Sequence, residues 1–421
     1  MLDIRYLREQ TELARAGVTA KGDDPSRIDE ALRLDERRRQ LLQHAETLKS
    51  KKNQVSGEVA RRKSRGEDAA ALITEMRAVA DEIKGLDENL KTVEEQLRAV
   101  ILQIPNIPHP SVPVGRTPAD NVPVATKGEP PVIDFPARPH WELIEKLQII
   151  DFPRGTKITG AGFPVYVGKG AKLERALINF FLDEAADAGY TELMPPLMVN
   201  AASATGTGQL PDKEDQMYVV DRDDLYLVPT AEVPVTNYLR DEILREEQLP
   251  VKYCAFTPCF RREAGSYGKD VRGLNRVHQF NKVELVRLVH PSASYDQLEE
   301  LRADAERILQ KLGLQYRVLL MCTGDLGFTQ TKKYDLEVWS VGQQKWLEVS
   351  SVSNFEAYQA RRMNIRYRPA SGKPEIVHTL NGSALALPRV VAALLEHYQT
   401  PEGKVIIPRV LHRYTGFEMI G

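Results

Sequence analysis

Between Phe260 and Leu285 the chain reads FRREAGSYGKDVRGLNRVHQFNKVEL. It holds four arginines, three further basic or imidazole side chains (Lys269, His278, Lys282) and two glutamates (Glu263, Glu284), set around Gly265, Gly268 and Gly273. Arginine keeps its charge at any working pH, and its planar fork pairs bidentately with a carboxylate or a phosphate. Arginines at both ends of a glycine-rich loop can converge on one anionic ligand, and the chemistry this favours is polyphosphate binding. A charged surface hairpin is the bland alternative. Partners elsewhere in the chain weigh against it.

Two short runs, CAFTPCFRR and RVHQFNKVELV, flank the loop and read as strands. In the second, alternation places Arg276, His278, Phe280, Lys282 and Glu284 on one face, and Val277, Gln279, Asn281 and Val283 on the other. Neither GxGxxG nor GxxxxGK[ST] occurs. A nucleotide bound here therefore needs an arginine-based site, since a dinucleotide crevice and a P-loop are both excluded.

With 421 residues the chain has room for two or three domains. Its formal net charge of −2 gives no global attraction for RNA, so any nucleic-acid surface must be local. Cys254, Cys259 and Cys322 are too scattered for a disulfide framework or a zinc site, and no zinc is expected. No apolar run reaches the ~18 residues that span a bilayer, and MLDIRYLREQ lacks a signal-peptide profile. A cytoplasmic protein with no membrane attachment is the expectation.

The elements that must present the site begin with a hairpin. Met76, Val79, Ile83, Leu86, Leu90, Val93, Leu97, Val100 and Ile104 recur in alternating steps of three and four, a heptad seam. Leu34, Leu41, Leu48, Val55 and Val59 form a weaker matching stripe, and Lys63-Ser64-Arg65-Gly66-Glu67 is a polar turn between the two. Two helices so joined lie antiparallel, and arms of about 30 residues would extend roughly 45–50 Å. From Arg37 to Arg65, ten Lys/Arg face two glutamates, a net of +8. From Glu67 to Arg98, nine acids face four bases, a net of −5. A solvated coiled coil accounts for that complementarity, and so does an arm that tracks RNA phosphates with Arg37, Arg38, Lys49, Lys52, Arg61 and Arg62.

Ten prolines between Pro105 and Pro139 exclude helix and disfavour an inner strand, so 105–139 reads as a linker. Beyond it, helix-period runs (Lys172–Ala188, Ser294–Leu312) mix with strand-like ones (Asp224–Val228, Tyr334–Ser340) without regular βαβ alternation. The fold class is therefore α+β: an N-terminal helical-hairpin domain over 1–104, the linker, and an antiparallel-sheet domain with flanking helices over 140–421.

These residues resemble the class II aminoacyl-tRNA synthetases and, within them, the bacterial-type seryl-tRNA synthetases. GYTELMPPL (Gly189–Leu197) is similar to motif 1, with Pro196 at the family's proline. The arginine-rich loop is similar to motif 2, and HTLNGSALALPR (His378–Arg389) to motif 3. GTGQLP, PTAEVP, CTGDLGFTQTKKYDLEVW and EVSSVSNFEAYQARR follow the family's order, so the resemblance covers essentially the whole chain. It implies an ATP-dependent ligase that activates L-serine as seryl-adenylate and transfers it to tRNA(Ser), with tRNA(Sec) an alternative acceptor, and that works as a homodimer.

By the same resemblance, the catalytic arginines are Arg261, which bridges the serine carboxylate and the α-phosphate, with Arg276 and Arg389 on the outer phosphates. Adenine rests on Phe280 near Glu263 and the Val277 backbone, while Arg262, Val349 and Ser350 complete the nucleotide set. Glu348 and Ser351 hold Mg²⁺. Thr230, Ala231, Glu232, Glu284, Asn381 and Ser383 take the amino acid together with Arg261. Three positions depart from the family: Arg262 stands where serine is common, Val352 where cysteine is usual, and Asp212-Lys213 where an aromatic often sits. Two alternatives fit less of the chain, a related ligase serving another acceptor and a catalytically silent RNA-binding paralogue.

Overall fold

The computed structural model describes residues 1–264, 272–370 and 372–421. Gly265, Gly268 and Lys269 of the arginine-rich loop lie outside the described residues. The chain divides into two units, Met1–Pro105 and Asn106–Gly421.

In the first unit, short helices Ile4–Glu9 and Thr11–Ala20 precede two long ones, Ser26–Ser64 of 39 residues and Ala70–Leu102 of 33 residues. At 1.5 Å per residue these run roughly 58 and 50 Å, so the first exceeds the length expected from its apolar stripe. Its end is set by Gly66, at φ +74°. There the Glu67 N–H meets Arg62 O at 3.0 Å and the Gly66 N–H meets Lys63 O at 3.2 Å, the paired bonds of a glycine-terminated helix. The seam from Met76 to Val100 is buried or half-buried throughout, as its spacing requires.

Charge completes the hairpin. Lys49 reaches Asp87 at 2.9 Å and Lys51 reaches Glu75 at 2.6 Å, from the basic helix to the acidic one. The fully buried carboxylate of Asp35 is held by Arg8 at 2.8 Å, Arg38 at 2.9 Å and Arg39 at 3.4 Å. Of the six arm cations singled out, Arg38, Lys49, Arg61 and Arg62 thus have acidic partners within the hairpin. Arg37 is exposed.

The second unit is built on an eight-stranded sheet. Its strands are β1 (Val122–Lys127), β2 (Thr191–Glu192), β3 (Val251–Phe260), β4 (Gln279–Val289), β5 (Tyr316–Leu320), β6 (Lys332–Ser340), β7 (Lys345–Glu356) and β8 (His378–Ala386). They lie in the order β1-β5-β6-β7-β8-β4-β3-β2, antiparallel except for the β2–β3 pair. The proline-rich stretch expected to be a linker belongs to this unit and supplies the edge strand β1. An edge strand needs only one hydrogen-bonding side, so it tolerates Pro123, which sits where the β1–β5 register shifts. Asn106 ties the start of the stretch down, its side-chain amide donating to Thr329 O at 3.0 Å and Phe355 O at 2.9 Å.

Helices Lys169–Asp187, Ser294–Lys311 and Leu387–His397 seal one face of the sheet over a core that includes Leu177, Phe180, Leu301, Val283, Leu336 and Val352. The second strand beside the arginine-rich loop begins at Gln279, three residues later than the alternation from Arg276 implied. His278 leaves the ladder because its N–H bonds Gly162 O at 2.8 Å and its ring stacks on Phe163, centroids 5.4 Å apart.

Candidate active site

A cavity of about 540 Å³ opens on the side of the sheet away from those helices. The pleat decides its floor. In β4, Val283 and Leu285 enter the core, so Phe280, Lys282 and Glu284 face the cavity; in β8, Leu380 and Ala384 enter the core, so Asn381 and Ser383 face it. Glu348 and Ser351 stand three residues apart in β7, a spacing that would put them on opposite faces of a regular strand. One extra residue at Val349 breaks the register against β6, where Glu337 pairs with Glu348 and Leu336 with Ser350. That bulge brings both oxygen-bearing side chains to the cavity.

One end of the cavity is acidic. Lys282 and Glu284 form a buried pair at 2.5 Å, and Glu284 Oε2 also accepts from Ser383 Oγ at 3.2 Å and Thr230 Oγ1 at 3.4 Å. Glu232 Oε1 accepts from Gln359 Nε2 at 2.7 Å, and Thr379 Oγ1 donates to Gln359 Oε1 at 2.8 Å, which fixes which way the amide points. Burial first, and then the charge of Glu284, push the Glu232 carboxyl above its usual range.

The other end is basic. Arg261 lies over the Phe280 ring, 5.2 Å from its centroid, and its Nε donates to Pro229 O at 3.2 Å. Glu263 turns the chain at φ +48° and pairs with Arg276 at 2.9 Å. Arg389 begins the helix Leu387–His397, where its Nη1 donates to Glu348 O at 2.8 Å and its Nε to Asn275 O at 3.2 Å. Burial would raise Glu348, yet the charges of Arg389 and Lys333 hold it below the usual carboxylate range. Asp335 behind it is pushed up, by burial first and then by Glu348. Such a cavity accepts a ligand that is cationic and hydroxylated at one end and polyanionic at the other.

Most of the expected site residues meet here: Thr230, Glu232, Arg261, Glu263, Arg276, Val277 and Phe280 line the cavity together with Val349, Ser350 and Arg389. Two do not line it. Ala231 is fully buried, and Arg262, whose backbone N–H bonds Gln216 O at 2.9 Å, is not among the lining residues. The structure adds Lys282, Lys333 and Gln359. Lys282 was legible on the predicted face of β4, whereas nothing in the YQARR run signals that Gln359 reaches Glu232.

An antiparallel sheet carrying arginines on the two limbs of a loop and at a helix start defines the core of a class II synthetase. Residues 218–398 match the tRNA synthetase class II core domain (G, H, P, S and T), and residues 1–108 match the seryl-tRNA synthetase N-terminal domain. The chain is 54% identical over 425 residues to the serine--tRNA ligase of Salinibacter ruber, covering 100% of this chain and 99% of that protein. It is 55% identical over 418 residues to that of Bacillus subtilis, covering 99% and 98%. Among solved structures, the Pyrococcus horikoshii seryl-tRNA synthetase complexed with ATP superposes with a TM-score of 0.95 at 38% identity, over 100% of this chain and 99% of that one. The chain belongs to the seryl-tRNA synthetase family.

The Lys282–Glu284 pair makes a stability prediction. Lys282→Met leaves Glu284, only 3% exposed at its side chain, without its cation. The expected loss is about 3–5 kcal/mol in urea denaturation, and Lys282→Met with Glu284→Gln should recover most of it.

Proposed function

We propose that this cavity makes seryl-adenylate from L-serine and ATP and then passes the seryl group to tRNA(Ser), with tRNA(Sec) as a second acceptor of the same kind. The protein is a serine–tRNA ligase. The observation that carries the site assignment is the polarity of the cavity, with Glu232 and Glu284 at one end and Arg261, Arg276 and Arg389 at the other.

In activation the serine carboxylate oxygen bonds the α-phosphorus while the bond from that phosphorus to the bridging oxygen breaks, and pyrophosphate leaves with the electron pair. Little covalent work falls to the protein, so alignment and charge neutralisation supply most of the rate. Arg261 holds carboxylate and α-phosphate together, and Arg276 and Arg389 draw the departing phosphates. Adenine takes the face of Phe280 that Arg261 leaves open, with Glu263 and the Val277 backbone at its edge. In transfer, a ribose hydroxyl oxygen at the tRNA end bonds the seryl carbonyl carbon of the adenylate, the bond from that carbon to the phosphate oxygen breaks, and AMP leaves with the electron pair as the hydroxyl proton is released.

Glu232 and Glu284 take the serine ammonium and hydroxyl, while Thr230, Asn381 and Ser383 close the pocket. Buried polar partners of this type reject a ligand lacking the hydroxyl far more strongly than a pocket that only measures size. Glu348 and Ser351 are oxygen donors that the β7 bulge brings side by side, which suits Mg²⁺. Bound there with ATP, that ion would supply phosphate charge neutralisation. The exposed cations of the hairpin, Arg37 among them, supply a phosphate-tracking surface for tRNA.

Apolar side chains around motif 1 support a homodimer: Met194 is 92% exposed, Tyr238 59% and Met198 48%. Among the described residues no helix is long and apolar enough to cross a membrane. A cytoplasmic location accords with the reaction.

With Mg²⁺ and ATP, pyrophosphate exchange should respond to serine at least about a hundredfold better than to alanine or threonine, and Arg261→Ala should lower it by about 10²–10³. An equal response to the three amino acids would refute the serine pocket. Removal of Arg37–Arg98 should spare exchange and abolish tRNA charging; undiminished charging would refute the role of the arm. Light scattering should return twice the chain mass, and a monomer would count against the dimer.

A further inference from the structure

The returning limb of motif 2, residues 272–276, is gripped from behind by a helix that has no place in the cavity lining. Helix His140–Leu147 opens with His140, whose side chain is fully buried. Its backbone N–H and ring Nδ1 both meet Glu396 Oε1, at 2.8 and 2.9 Å, and its Nε2 accepts the Leu274 N–H at 2.9 Å. The two partners set the tautomer: the ring donates from Nδ1 and accepts at Nε2. Glu396, fully buried as well, also accepts from Ser340 Oγ and from the Gly342 N–H at 3.0 Å. Burial would raise this carboxyl, but the hydrogen bonds from His140 and Ser340 hold it below its usual range.

Glu396 stands two helical turns beyond Arg389 on the helix Leu387–His397. The same assembly touches the limb at three further points. Gly273, at φ +64°, lies so close that a Cβ there would fall 2.4 Å from His140 Nε2. The Arg272 guanidinium sits 4.8 Å from the Trp141 ring centroid. Asn275 Nδ2 donates to Gln343 Oε1 at 2.8 Å, and Gln343 Nε2 donates to Ser340 Oγ at 2.9 Å. Asn275 O accepts from Arg389 Nε at 3.2 Å, which closes the circuit between limb and helix.

We infer that His140 is a positioning residue for the nucleotide: the relay Glu396–His140–Leu274 N–H clamps the limb carrying Arg276 to the helix carrying Arg389, so that both guanidinium groups meet the polyphosphate at a fixed separation. This rests on the reading of Arg276 and Arg389 as phosphate ligands. His140 touches neither substrate, and its effect is confined to ATP.

The test is serine-dependent pyrophosphate exchange by the full chain, with the KM for ATP and for serine measured separately. His140→Asn keeps a donor toward Glu396 but places no atom at Nε2, whereas His140→Gln can accept the Leu274 N–H with its Oε1. His140→Asn should raise the ATP KM about tenfold and leave the serine KM within about twofold, as expected for one lost buried hydrogen bond acting on one ligand. His140→Gln should recover most of the ATP effect even though both variants lower the melting temperature. Equal ATP KM values for the two variants, or equal rises for ATP and serine, would overturn the inference.

Arg276→Ala separates this inference from the reading beneath it. An unchanged ATP KM in Arg276→Ala removes the phosphate assignment itself, whereas a large rise there with none in His140→Asn removes only the positioning role. Should His140→Asn fail to fold, Gly273→Ala pushes the same limb off the ring while sparing the His140–Glu396 contact. A rise in ATP KM supports the clamp, and no rise overturns it.

Discussion

The pleat of the eight-stranded sheet is the constraint on which the site depends. Because successive residues of a strand point to opposite faces, sealing one face with helices forces Val283, Leu285, Leu380 and Val352 inward and turns Lys282, Glu284, Asn381 and Ser351 toward the cavity. Strands in the middle of the sheet therefore carry charged groups at low exposure, and each such group must find a partner. Lys282 and Glu284 solve this for each other at 2.5 Å, with Thr230 and Ser383 sharing the same carboxylate oxygen.

That requirement makes the cavity directional. Carboxylates gather where Gln359 and Lys282 can hold them, and arginines gather where the chain turns out of the sheet, at Glu263 and at the start of the helix Leu387–His397. The two ends of the cavity therefore differ in charge, acidic where β4 and β8 meet Thr230 and basic beside the helix start. The bulge at Val349 belongs to the same logic. A regular strand would aim Glu348 and Ser351 apart, and one inserted residue brings both to the cavity.

Contacts behind the lining join its basic elements. Arg276 and Arg389 come from elements far apart in sequence, and hydrogen bonds through Asn275, Leu274, His140 and Glu396 connect those elements. The hairpin of the first unit obeys a simpler rule. An apolar seam of period 3.5 joins its helices, Gly66 ends the first of them, and cross-helix pairs such as Lys49–Asp87 absorb part of the basic charge that the sequence presents.

Local physics made much of this legible. Heptad spacing, the turn at Gly66, strand alternation through Phe280, Lys282 and Glu284, and the clustering of arginines around glycines each follow from near neighbours in the chain, so the sequence alone determined the hairpin, the α+β class and the face of β4 that lines the cavity, while the family resemblance implied the lining residues on other elements. Other features depend on contacts between distant residues. The proline-rich stretch became an edge strand because β5 offers a free side to pair with, and His278 left the ladder because Gly162 and Phe163 meet it. The Arg262 backbone N–H bonded Gln216 O, Gln359 reached Glu232, and His140 came to rest against Leu274, more than a hundred residues away. No periodicity encodes such meetings. They are set by which surfaces the folded sheet and its helices bring together, and only the tertiary structure could decide them.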